Sequence, residues 1–62
     1  MKRRELLRQI TAIAKRKNMT ATFKEGGAHT MVQIGGKATT IPRHNEINEH
    51  TARGILKHLS TD

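Results

Sequence analysis

Between residues 3 and 17, Leu6, Leu7, Ile10, Ile13 and Ala14 recur at spacings of three and four, with Arg8, Lys15 and Arg16 between them. That period lines one stripe of an α-helix and predicts an amphipathic first helix. Asn18 tolerates the left-handed conformation found at helix C-termini, so the helix is expected to stop near it. From Thr20 to Ile41 the pattern changes to short runs rich in Thr, Val, Ile and Phe, bounded by Gly26-Gly27 and Gly35-Gly36. Such runs predict strands near 20–25, 29–34 and 37–41. Gly35-Gly36 suits a primed two-residue hairpin turn with positive φ at both positions. Pro42 brings no N–H to a ladder and closes the third strand. A second helix is predicted over 48–59, with Asn48 as its cap and Glu49 at its positive end. Its apolar stripe is Ala52, Ile55, Leu56 and Leu59, and Gly54 costs it roughly 1 kcal/mol relative to alanine.

The predicted order is α-β-β-β-α, an α+β fold with a three-stranded antiparallel sheet. Each helix has a single apolar stripe, so the economical packing lays both on one face of the sheet and leaves the other face open. Strand alternation then assigns directions. If Ala21, Phe23, Val32, Ile34 and Ile41 face the helices, then Lys24, His29, Met31, Gln33 and Thr40 face outward. No repeat, linker or low-complexity segment interrupts the 62 residues, which read as one domain.

Length and composition narrow the possibilities. At this size folding buries only about 60% of the surface of the unfolded chain, so the core is thin and no deep cavity is expected. The chain has no cysteine, which excludes a disulfide framework and a thiolate zinc site and suits a reducing cytoplasm. The start MKRRELLRQITAIA is basic, but Arg8, Gln9 and Thr11 interrupt the apolar run that a signal peptide needs. No segment is long enough to span a bilayer. A soluble, cytoplasmic protein with no membrane partner is expected.

Twelve Lys and Arg stand against five Asp and Glu, a formal +7, which makes nucleic acid or another polyanion the first candidate partner. Seven of the basic residues lie in the first 17 positions, where they form either a solvated helix face or an RNA contact. A membrane-surface role is disfavoured, because the stripe lacks Trp or Phe anchors. Phe23 is the one aromatic residue of the Phe, Trp and Tyr class. A base-stacking platform of several rings is therefore excluded, and backbone charge is left to do most of the gripping.

The candidate chemistry centres on His29, directly behind Gly26-Gly27-Ala28. On spacing alone, a histidine after a tight glycine turn is a surface residue beside a hairpin. The functional reading starts from an imidazole pKa of about 6.5, which allows proton transfer near neutrality. RNA supplies its own nucleophile, the 2′-hydroxyl, so cleavage needs proton transfers and charge stabilisation at phosphate but no cofactor. A positioned general acid or base contributes about 10²- to 10⁴-fold. Gly26 and Gly27 either make the turn only, or let a phosphate approach backbone N–H groups. No metal site is expected: His50 and His58 are separated by roughly 12 Å of helical rise, and His44 and His50 meet only through loop geometry. Ser60 is the sole serine and sits at a frayed end, which disfavours serine nucleophilic catalysis.

Three stretches in register carry a family resemblance. Gly27-Ala28-His29 resembles a Gly-Ser-His motif at the start of a second strand. Ile41-Pro42-Arg43-His44 resembles a Val/Ile-Pro-Arg-His stretch. Thr51-Ala52-Arg53-Gly54-Ile55-Leu56-Lys57 resembles a closing Thr-Leu-Arg-x-Ile-Leu-Lys helix. Together with the basic first helix, these resemble the HicA-family toxins, mRNA interferases of type II toxin–antitoxin pairs, over nearly the whole chain. The resemblance implies a double-stranded-RNA-binding-domain-like fold and metal-independent endoribonuclease activity on mRNA. It also implies inhibition by a HicB-type antitoxin, with a monomer alone and a hetero-oligomer in the complex. Carried over, His29 is the catalytic residue and Gly27 its conformational partner, while Lys24, Arg43 and His44 are candidates for RNA contact. Ala28 departs from the usual serine, and Ala52 from a larger apolar residue.

Two other readings compete. A non-catalytic double-stranded-RNA-binding module shares the topology, but such modules commonly begin the last helix with lysines, where this chain has Glu49, His50, Thr51 and Ala52. A DNA-binding or ribosome-associated protein is disfavoured by strands where helix-turn-helix spacing would need helices.

Overall fold

The computed structural model describes residues 1–61. Helix α1 (Arg3–Arg16) leads to strands β1 (Ala21–Glu25), β2 (His29–Ile34) and β3 (Lys37–Pro42), and the chain closes with helix α2 (Glu49–Ser60). This is a small α+β fold in the expected order, with every boundary within one residue of its expected place. The strands form one antiparallel sheet in the order β1-β2-β3, so β2 is central and two hairpins supply all the pairing.

Register fixes the faces. Phe23 lies opposite Val32, and Val32 opposite Thr39; on the other side Lys24 lies opposite Met31, and Met31 opposite Thr40. Leu6, Ile10, Ile13 and Ala14 of α1, Ala52, Ile55 and Leu59 of α2, and Val32, Ile34 and Ile41 of the sheet join Ile47 in one core. Both helices therefore cover the same sheet face, and the face of Lys24, His29, Met31, Gln33 and Thr40 is open.

Local chemistry explains the ends of the helices. Asn18 adopts φ +58°, and the amide after it, Met19 N–H, returns to the Ala14 carbonyl at 2.8 Å. The Asn48 side chain accepts from His50 N–H at 2.8 Å and caps α2. Lys17, at the end of α1, donates from Nζ to the carbonyls of Leu59 (3.0 Å) and Thr61 (2.8 Å), which satisfies the exposed carbonyl end of α2 with a cation.

Three details differ from the sequence expectation. Of the Gly35-Gly36 pair only Gly35 has positive φ, +59°, the pattern of a II′ rather than a I′ turn. Leu7 and Leu56, expected in the stripes, are only half-buried at the margin of the core. Phe23 faces the helix side as expected but is 41% exposed. The reason is coverage: β1 is an edge strand, every residue of it after Ala21 is exposed, and α1 touches it only lightly.

The connector after β3 anchors the start of α1. Arg3 N–H donates to the Asn45 carbonyl (2.8 Å) and Ile47 N–H to the Met1 carbonyl (2.7 Å), around a bridge between Lys2 and Glu46. The Met1 ammonium is 3.1 Å from the carboxylates of both Glu46 and Glu49. Hydrogen bonding to Glu46, then Glu49, raises it above the usual value for an α-amine.

Candidate functional site

His29 is the first residue of β2 and lies on the open face. Its neighbour toward β1 is Gly26, whose N–H donates to the His29 carbonyl at 3.0 Å; its partner on β3 is Pro42. Neither neighbour shields the ring with a long side chain. The register thus sets His29 against Pro42, the Arg43 side chain reaches back to the Gly26 carbonyl, and Arg43 and His44 follow directly from the partner of His29. Lys24, opposite Met31, is a diagonal neighbour of His29 on the same face, about 7–8 Å away in such geometry. The side chains of Lys24, His29, Arg43 and His44 are exposed, and among the described residues no hydrogen bond engages the rings of His29 or His44.

Behind this surface runs a polar chain. The Arg3 guanidinium donates to the Pro42 carbonyl (3.1 Å) and to Thr30 Oγ1 (2.7 Å). The Thr30 hydroxyl donates in turn to the Glu25 carboxylate, which also accepts from Arg43 at 3.0 Å, while Arg43 reaches the Gly26 carbonyl at 2.8 Å. Thr30 is buried, and no buried side-chain nitrogen or oxygen among the described residues lacks a partner. The hydrogen bond from Thr30, aided by the charges of Arg43 and Arg3, holds the Glu25 carboxyl below the usual glutamate value. Arg43, expected to contact RNA, therefore clamps the β1–β2 turn with one arm of its fork and can offer only the remaining N–H groups outward.

The glycines divide their roles differently from the expectation. A Cβ on Gly26 would sit 3.1 Å from the His29 carbonyl, whereas one on Gly27 would meet nothing within 4 Å. The glycine that the backbone of His29 requires is Gly26. Gly27, without positive φ, is free of any packing demand. The Gly26 N–H is spent on His29, while the N–H groups of Gly27 and Ala28 have no partner among the described residues and point to the turn's outer rim as the place where backbone could hold an anion.

Among the described residues, four basic side chains are engaged by partners: Arg3, Arg8 with Glu5, Lys17 and Arg43. Among the described residues the other eight, Arg4, Arg16, Lys24 and Lys57 included, have no such partner, and they keep the surface field positive. The remaining histidines are dispersed. His58 Nε2 lies 3.1 Å from the Ala38 carbonyl, and His50 sits in the first turn of α2. No three His, Asp or Glu side chains among the described residues gather as a metal site. No helix among them is long and apolar enough to cross a membrane.

Sequence reasoning passed over Arg3, Glu25 and Thr30. The available signal was Thr30: alternation puts its hydroxyl on the core side between outward His29 and Met31, and a buried hydroxyl needs partners. Comparison of the chain with protein-family models, curated proteins and solved structures finds no match.

Proposed function

We propose that this protein is an endoribonuclease of the mRNA interferase type, with His29 as the group that moves the proton. The observation carrying this reading is the pairing of His29 with Pro42, which brings exposed Gly27, Ala28 and His29 to the same end of the sheet as exposed Arg43 and His44, beside backbone amides without a partner among the described residues. Strand cleavage by the neighbouring 2′-hydroxyl needs a base to take its proton, an acid to protonate the departing 5′-oxygen, and positive charge around the phosphate. The imidazole of His29 is unshielded and suits the first task. His44, two residues past its partner, is the candidate for the second, with Lys24 the other. The amides of Gly27 and Ala28, Lys24 and the outer N–H groups of Arg43 supply charge at the phosphate. No cofactor or metal enters this scheme.

The α-β-β-β-α order, with both helices on one face, supports reading the fold as double-stranded-RNA-binding-domain-like. The resemblance to HicA-family toxins further implies a HicB-type antitoxin. An acidic protein covering His29 would block both substrate entry and proton transfer. Against a non-catalytic binding module stands the start of α2, where Glu49 pairs with the Met1 ammonium instead of a lysine facing a duplex.

The test is cleavage of end-labelled single-stranded RNA by the purified chain and by His29→Ala, with EDTA present and folding of both checked by circular dichroism. Cutting by the wild type and a loss of at least about 10²-fold in the folded variant is expected. Equal RNA binding by both with no cutting by either would hand the chain to the binding-module reading.

A further inference from the structure

The exposed Phe23 has a setting of its own. An open groove of about 650 Å³ runs between α1 and β1, walled by Phe23, Leu7 and Thr11 and bordered by Arg3, Arg4, Arg8, Glu25, Thr30 and Asn45. Its size falls within the range of about 300–1,000 Å³ typical of small-molecule sites. The apolar part is small and flat, and the rim is cationic. The two carboxylates nearby cancel only part of that charge: Glu5 pairs with Arg8, while Glu25 is balanced by Arg43 from outside the groove, which leaves Arg3 and Arg4 as its net positive charge. Arg4 has no partner, and the carboxamide of Asn45 makes no hydrogen bond among the described residues.

We propose that this groove is a subsite for one nucleotide of single-stranded RNA, with its base against the ring of Phe23, its phosphate at Arg4 and its base edge toward Asn45. The assignment rests on the RNA reading above and deepens it. Arginine beside an aromatic ring matches the charge and the π-face of a nucleotide together, and an asparagine carboxamide offers the donor and acceptor pair that base edges present. Position supports it as well. Thr30, on the groove wall, is the residue after His29, and Asn45 follows His44. The groove and the proposed cleavage patch thus share one end of the sheet, on opposite faces, where a flexible single strand can bend from one to the other. One ring makes one subsite, which is compatible with the lack of an extended stacking platform.

The test uses the fact that Phe23 is the sole Phe, Tyr or Trp residue, so its ring protons are a single identifiable NMR spin system. A short single-stranded RNA, 2′-O-methylated at every position to prevent cutting, is titrated beside an abasic oligomer of equal length and beside poly-glutamate. Upfield displacement of the Phe23 ring signals by the base-bearing strand alone is expected. Phe23→Leu should weaken its binding about tenfold or more, and Phe23→Tyr should retain it. Binding of that strand with unmoved ring signals and unchanged affinity in Phe23→Leu would overturn the subsite and leave the RNA reading intact. Absence of binding to the strand and to unmodified RNA would overturn both. Ring displacement by poly-glutamate but not by the strand would give the groove to an acidic protein and likewise overturn the assignment.

Discussion

Replacing Thr30 by valine removes one hydroxyl from a buried position without changing its shape. The wild-type hydroxyl accepts from the Arg3 guanidinium at 2.7 Å and donates to Glu25. A hydrogen bond to a charged partner is worth about 1.5–3 kcal/mol net. The bond to Glu25 is left out of the sum, because that carboxylate is exposed to water and recovers solvation. The methyl that replaces the hydroxyl regains about 0.8 kcal/mol. The expected loss is therefore about 1–2 kcal/mol, against a total stability of roughly 3–9 kcal/mol for a chain of this length, and the melting temperature should fall by roughly 5–15 °C. With neither Trp nor Tyr in the chain, far-ultraviolet circular dichroism is the suitable probe of unfolding. A second readout isolates the cause. NMR titration of the Glu25 carboxyl should move up toward the ordinary 4.5 in Thr30→Val, because its leading stabiliser is gone, and stay low in Thr30→Ser. Unchanged stability in Thr30→Val with an unmoved Glu25 titration would refute the polar chain as a structural clasp.

Three further outcomes follow from local geometry. Gly35→Ala places a side chain at φ +59° and a Cβ 2.9 Å from Met19 Sδ, so urea unfolding should show a loss of about 1–2 kcal/mol; a neutral result would mean that the turn relaxes freely. Gly27→Ala meets open space, so stability should change by no more than about 0.5 kcal/mol while RNA affinity drops if a phosphate approaches that backbone; equal affinity for RNA would dismiss the glycine as a contact. Because folding lowers the Glu25 pKa below 4.5, its contribution is present in full above that value and is lost as pH falls through the lower folded value. The protection factor of the Gly26 N–H, which removes the intrinsic pH dependence of amide exchange, should fall as pH drops below 4.5, and a protection factor constant between about pH 6 and about pH 2 would contradict the linkage.

Much of the fold is legible in the sequence because each element obeys one dominant period. The three-and-four spacing of α1 and α2 and the alternation of β2 survive into the structure, and Asn18 and Asn48 end and begin helices by chemistry local to themselves. The direction of His29 is likewise a matter of counting residues along β2. What counting does not give is coverage. Phe23 has the phase of a core residue, yet its burial depends on how far α1 extends over an edge strand, which no local pattern encodes. The tether on Arg43 is hidden for a related reason: its partners, Glu25 and the Gly26 carbonyl, become neighbours only once β1, β2 and β3 are in register. Gly26 and Gly27 look equivalent in sequence and differ only in what surrounds their α-carbons.

The clasp from Arg3 reaches across 27 residues to Thr30 and 39 to Pro42, whereas the sheet is two consecutive hairpins. Contacts of short sequence separation form first in small domains, and a 14-residue helix is marginal in isolation. Although α1 precedes everything else in chain order, its chief packing partner is α2, the last helix of the order, and β1 touches it only lightly. A nascent chain halted before Pro42 would carry the turn of His29 and most of the positive charge, but on a hairpin with its helix undocked. Such a fragment would be exposed to proteolysis and without the geometry proposed for cleavage, so the docking of α1 on α2 acts as the molecule's own assembly checkpoint.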